Sequence, residues 1–137
     1  MLSSRRALQR ATSALAFIPI GTGALGLGGL HDPLYVAFGV VPNAVLDSNL
    51  RFFSGFWLGA GLSMLWVVPR IEKEGALFRA LWGMIFLGGV GRVASLVGAG
   101  FPPVPAPIVL GVIALELLGA PLFVVWQRRV ERAAVSG

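Results

Sequence analysis

A stripe of charged and small residues runs along one side of the segment between residues 47 and 63. Asp47, Arg51, Gly55, Gly59 and Ser63 are spaced four apart, so they share one face of a helix. The other faces carry mostly phenylalanine, leucine and tryptophan. Charged groups inside hydrocarbon need partners and small residues allow close approach, so this stripe is expected to face the rest of the protein.

The composition excludes the usual classes of soluble protein. Of 137 residues, 56% are hydrophobic and only 12% are charged, which indicates an integral membrane protein. The chain has no cysteine and one histidine, so disulfides and cysteine-type metal sites are excluded. The net charge of +5 comes mainly from short basic clusters beside apolar segments, which is explained better by membrane topology than by nucleic-acid binding.

Four apolar segments are long enough to cross a bilayer, which needs about 20 residues each. We predict an all-α, four-helix transmembrane bundle in a single domain over 1–137, with helices at about 11–30, 48–68, 76–97 and 108–126. The connector 31–46 contains turn signals at Asp32-Pro33 and Pro42-Asn43 and is predicted to be a short interfacial segment. A signal peptide is the alternative for the first segment.

The basic residues predict the orientation of the bundle. They fall in the first tail, the second connection and the last tail, namely Arg5, Arg6, Arg10, Arg70, Lys73, Arg79, Arg128, Arg129 and Arg132. The other two connections contain no lysine or arginine. By the positive-inside rule, both termini are predicted to be cytoplasmic.

Four charged residues are expected at similar depth in the outer leaflet. Asp47 and Arg51 belong to the second predicted helix, while Arg92 and Glu116 belong to the third and fourth. An arginine at the bilayer centre costs on the order of 3 kcal/mol, so pairing is favoured. We therefore predict a ligand-binding or structural polar network of these four residues, with Arg92 and Glu116 in direct contact.

Other interpretations of these four residues, including purely structural ones, stay open. Asp47 can be the N-cap of its helix, with Arg51 snorkelling to lipid headgroups. A true network has three alternative roles. It can have only the structural role of fixing helix register, it can bind a ligand or lipid headgroup, or it can support catalysis or proton movement. Proton carriage by Glu116 is disfavoured because nearby guanidinium groups keep a carboxylate ionised.

Glycines surround the charged positions at helical spacing. We expect close packing, or a small cavity, around the network at Gly55, Gly59, Gly88, Gly89 and Gly119. His31 stands alone, and the serines have no histidine base nearby in the sequence. No catalytic residue, metal site or cofactor is predicted.

Three segments resemble an uncharacterised bacterial family of small four-helix membrane proteins, domain of unknown function 4345. The segments are D-S-x-x-R-F, G-G-x-x-R and E-L, which correspond to Asp47, Ser48, Arg51, Phe52, Gly88, Gly89, Arg92, Glu116 and Leu117. The resemblance covers about residues 11–130 and implies a fold and a membrane location, but no activity.

These observations favour a non-enzymatic binding, accessory or structural subunit, a multi-pass protein of the bacterial inner membrane. Its expected partners are membrane lipids, and another membrane protein or a second copy of the chain, but not nucleic acid. The alternative is a membrane enzyme or transporter that acts on a small or lipid-like ligand at the charged cluster.

Overall fold

Helices form all the regular structure in the computed structural model, which describes residues 2–41 and 43–135. The predicted all-α class is confirmed for these residues, none of which lies in a strand. The helices are α1 (Leu2–Gly26), α2 (Pro33–Ala37), α3 (Ala44–Val67), α4 (Gly75–Ala99) and α5 (Ala106–Val135). Within α5, residues Leu115–Gly119 form a π-helical turn.

Three helical stretches in the described part of the chain are long and apolar enough to cross a membrane: Ala44–Arg70, Gly75–Ala99 and Ala106–Val135. The first predicted span, 11–30, differs from α1 at both ends. The helix includes the basic tail because arginine, leucine and alanine are good helix formers. It ends at Gly26, before a 3-10 turn over Gly29–His31, so its uninterrupted apolar part is shorter than expected.

Helix α3 begins four residues before the predicted start at Ser48. The side chain of Asn43 accepts hydrogen bonds from the backbone N–H groups of Val45 and Leu46 at 3.0 and 3.1 Å. Asn43 is therefore the N-cap, and the interpretation of Asp47 as the cap was wrong. Asp47 lies in the first turn, where its charge suits the helix dipole. The turn signal at Pro42 lies outside the described residues.

The chain forms two compact units. Unit 1 contains Met1–Leu8 and Arg70–Gly137, and unit 2 contains Gln9–Pro69. That the whole chain is one domain stays a prediction.

In unit 2, α1 and α3 pack antiparallel with their backbones close together. A Cβ atom on Gly61 would lie 2.9 Å from the backbone nitrogen of Ile20, and one on Gly23 would lie 2.6 Å from that of Leu58. Where the first part of α1 lies beside the end of α3, Gln9 Nε2 donates to the carbonyl of Val68 at 2.8 Å. Glycine thus sets the distance between the helices, because a larger residue would collide with backbone.

In unit 1, α4 and α5 pack antiparallel, with aromatic contacts at one end. The rings of Trp82 and Phe123 stack with their centroids 4.1 Å apart, and Trp82 is buried. In the same unit, Arg5 donates to both carboxylate oxygens of Glu72, at 2.9 and 3.0 Å. These hydrogen bonds from the Arg5 guanidinium lower the pKa of Glu72 below its ordinary value.

The helix spacing in unit 2 can be tested with two neighbouring glycines of α3. Gly61→Ala should lower the midpoint of thermal unfolding in detergent, at a cost of about 1–3 kcal/mol, because the new Cβ meets the backbone of α1. Gly59→Ala is the matched control, since a Cβ there meets nothing within 4 Å and alanine favours helix by about 1 kcal/mol. Equal effects of the two substitutions would contradict this packing.

Candidate functional site

Arg51 holds together the turn after α1 and the first turns of α3. Its Nε donates to Asp47 Oδ2 at 2.7 Å, a salt bridge one helical turn apart. Its Nη1 donates to the carbonyl of Leu27 at 2.7 Å, and its Nη2 donates to that of Gly28 at 3.0 Å. Both carbonyls lie beyond the end of α1, and that of Gly28 also accepts a hydrogen bond from the backbone N–H of His31 at 3.3 Å. All three nitrogens of the guanidinium group are therefore engaged inside unit 2.

Asp47 and Gly29 complete this arrangement, which we call the clasp (Leu27–Leu30 with Asp47 and Arg51). Asp47 Oδ1 accepts a hydrogen bond from the backbone N–H of Leu30 at 2.8 Å. Gly29 has a φ of +62°, which disfavours other residues, and a Cβ there would collide with Asp47 Oδ1 and lie 2.8 Å from Arg51 Nε. The clasp thus requires glycine at this position.

Arg92 and Glu116 form the second charged pair, in unit 1. Arg92 Nε lies 3.0 Å from each carboxylate oxygen of Glu116 and donates to both. The Glu116 side chain is only 8% exposed, whereas that of Arg92 is 56% exposed. Within the described residues, the structure shows no hydrogen bond from Nη1 or Nη2 of Arg92. Glu116 is therefore buried, and Arg92 keeps the N–H groups of Nη1 and Nη2 for further hydrogen bonds.

Two local features place Glu116 beneath Arg92. Gly89 lies one turn before Arg92 on α4, and a Cβ there would come within 2.8 Å of Glu116 Cβ and 2.9 Å of Leu117 Cδ2. Gly89 therefore lets α5 approach α4 closely at this level. Glu116 itself lies in the π-helical turn Leu115–Gly119, a feature found frequently at functional sites.

The other glycines expected around the charges are more loosely surrounded. A Cβ on Gly59 or Gly88 would meet nothing within 4 Å in the described part of the chain, and one on Gly55 would make an ordinary 3.9 Å contact with Leu27. A Cβ on Gly119 would lie 3.1 Å from Leu115, on its own helix. The expected close packing between helices is therefore observed at Gly89 and not at these four positions. The spacing of four was a poor guide because it does not fix which side of a helix faces its neighbour.

The four predicted site residues form two pairs, one inside each unit. Their joining into a single network stays a prediction. Sequence reasoning missed the carbonyl partners of Arg51, since backbone groups leave no mark in a sequence. It also missed the special role of Gly29, which is one of several glycines in the run GTGALGLGG.

The comparison with known families identifies the protein family of the chain. A family described as "Domain of unknown function (DUF4345)" matches residues 7–127, which include both charged pairs. The chain belongs to this family. No curated protein and no solved structure matches the chain.

A double-mutant cycle with near-isosteric substitutions tests the Arg92–Glu116 pair. Arg92→Met should cost about 3 kcal/mol of unfolding free energy, because the buried Glu116 carboxylate loses its donor. Glu116→Gln should cost only about 1 kcal/mol, because the half-exposed guanidinium can turn outward and the amide oxygen can still accept. Thermal unfolding in detergent measures both effects and their coupling. A coupling near zero, with both variants close to wild type, would contradict the pairing.

Proposed function

We propose that this chain is a multi-pass protein of the bacterial inner membrane that binds a phospholipid headgroup in the outer leaflet through Arg92. Its role is that of a non-enzymatic binding or accessory subunit. The observation that carries this proposal is the geometry of Arg92. A buried carboxylate fixes its Nε, its side chain is 56% exposed, and Nη1 and Nη2 donate no hydrogen bond to the described residues.

The chemistry of the edge formed by Nη1 and Nη2 suits a phosphodiester. A guanidinium group has five N–H donors in a planar fork, and two of them on one edge match two oxygens of a phosphate. Glu116 holds the fork from the side of Nε, so little conformational freedom is lost when the other edge binds. Arg51 is a weaker candidate because its Nε, Nη1 and Nη2 are already engaged in the clasp.

The depth of Arg92 also suits a headgroup. Arg92 lies seven residues before the end of α4 at Ala99, which is about 10 Å along the helix axis. Helix α4 has 25 residues and a length of about 37 Å, longer than the roughly 30 Å hydrocarbon layer. The guanidinium at the end of a long side chain can therefore snorkel to the phosphate level.

In the proposed arrangement, α1, α3, α4 and α5 form a four-helix bundle with both termini in the cytoplasm. The three helical stretches capable of crossing the membrane support the last three spans. The apolar part of α1, continued by the turn to Leu30, supplies the first. The distribution of arginine and lysine supports the orientation.

A second candidate function is transport or chemistry on a lipid-like ligand at the same pair. The π-helical turn that carries Glu116 favours this candidate, because π-helical turns occur frequently at functional sites. A substrate-dependent turnover or flux that is lost in Glu116→Gln would support this candidate over simple binding.

Reporter fusions test the orientation. Reporters that are active only outside the cytoplasm should be inactive when fused after residue 135, and active when inserted into the connector between α1 and α3. The basic clusters give the physical reason, since positively charged segments are retained on the cytoplasmic side. An active reporter at the C-terminal end would overturn the proposed orientation.

Native mass spectrometry of the protein released from phospholipid nanodiscs tests the binding function. Wild type should retain a phospholipid, and Arg92→Lys should lose it several-fold more readily. Lysine keeps the positive charge beside Glu116 but lacks the planar fork that serves the carboxylate and a phosphate together.

The matched control is Arg129→Lys, the same change at an exposed arginine near the C-terminal end of α5. It should retain the lipid like wild type. Folding of each variant is checked by its thermal unfolding midpoint. A folded Arg92→Lys that retains lipid as well as wild type would refute the headgroup contact.

A further inference from the structure

An open surface cavity of about 350 Å³ lies between the start of α4 and the end of α5 in unit 1. It is lined by Arg79, Arg128, Glu131 and Arg132. From its charge, construction and depth, we infer that this cavity binds a phosphate group, either of an anionic phospholipid headgroup or of a soluble phosphorylated molecule. This inference concerns a second site and does not rest on the contact proposed for Arg92.

The charge of the lining favours an anion. Three arginines face one glutamate, which leaves an excess of two positive charges. Arg128 and Arg132 lie four residues apart on α5, so they project from the same face, where like charges repel. A phosphate between them and Arg79 would turn this repulsion into attraction and accept several hydrogen bonds from guanidinium groups.

Partly buried hydrogen bonds hold Arg79 in place. Arg79 Nη1 donates to Glu131 Oε2 at 3.0 Å and to Gln127 Oε1 at 3.3 Å. Gln127 is fully buried, and its Nε2 donates to the carbonyl of Ile71 at 3.1 Å. The cavity wall is therefore a built structure in which a buried amide fixes one arginine, rather than a set of loose surface side chains.

Gly75 makes room for this wall. A Cβ at this position would lie 2.8 Å from Arg79 Nη1, 2.8 Å from Gln127 Nε2 and 2.9 Å from Glu131 Oε1. Any larger residue would displace the cluster. The first turn of α4 is thus shaped to admit three polar side chains.

The position along α5 places the cavity at the membrane surface. Ala106 to Trp126 covers 21 residues, about 31 Å of helix, which matches the hydrocarbon thickness. Trp126 then lies at the interface, where tryptophan is enriched, and Arg128 follows within one turn. Basic pockets between helix ends at the cytoplasmic surface are typical binding sites for anionic headgroups.

The test uses the full chain in phosphatidylcholine nanodiscs. In one arm, part of the lipid is replaced by phosphatidylglycerol, and in the other, inorganic phosphate is added to the buffer. The measurement is the shift in the midpoint of thermal unfolding, because a ligand that binds only the folded state stabilises it. A shift with phosphatidylglycerol alone identifies a lipid headgroup, and a shift with inorganic phosphate identifies a soluble ligand.

Arg128→Gln and Arg129→Gln form the matched pair of variants. Each removes one charge from neighbouring exposed positions, but only Arg128 lines the cavity. Arg128→Gln should lose at least half of the shift, whereas Arg129→Gln should keep it. The inference is overturned if wild type shows no shift in either arm, or if the two variants lose the shift equally.

Discussion

Backbone carbonyls beyond the end of a helix need hydrogen-bond donors when water is scarce, and in unit 2 Arg51 supplies donors to two of them. Its guanidinium group serves the carbonyls of Leu27 and Gly28, while Asp47 neutralises it and accepts the N–H of Leu30. The end of α1, the turn and the start of α3 are thereby one hydrogen-bonded structure. The left-handed conformation of Gly29 and the antiparallel pairing of the two helices are consistent with this clasp.

Each charged pair joins one arginine to one carboxylate, but the two arginines differ in their capacity for further binding. Arg51 directs its three nitrogens to protein acceptors, so its role is to stabilise a turn. Arg92 uses Nε alone for Glu116, and more than half of its side chain is exposed. The difference arises from the neighbouring backbone. A turn whose carbonyls accept hydrogen bonds lies beside Arg51, whereas Arg92 itself lies within the regular helix α4.

The sequence was sufficient to predict the helical class and the direct contact between Arg92 and Glu116. Hydrophobic length determines where helices occur, and the cost of a charge in hydrocarbon makes a partner necessary. It was not sufficient to predict which glycines lie between helices. Gly59 and Gly61 are two residues apart, yet only Gly61 meets α1, because the rotation of a helix about its axis depends on the whole packed surface.

The polar cluster around Gln127 was missed for a related reason. The segment Gln127-Arg128-Arg129 has the composition of a polar segment that flanks a membrane span on the cytoplasmic side. Such a segment is expected to be exposed, but the side-chain amide of Gln127 is buried. The helical spacing of Gln127 and Glu131 was the available signal, since residues four apart share a face. Arg79, near the start of α4, lies at the same end of this antiparallel helix pair and contacts both side chains. Charge counting alone treats all three arginines of the tail as equivalent, although their surroundings differ.

The π-helical turn at Leu115–Gly119 has a consequence for how this chain varies in length. A π turn holds one more residue than an α turn, so α5 contains a surplus residue beside Glu116. Removing a single residue there would leave a continuous α-helix that is still long and apolar enough to cross a membrane. In a relative, that change would occur as a one-residue gap in the middle of a helix, where gaps are otherwise rare, and the carboxylate would no longer point at Arg92 from the same angle.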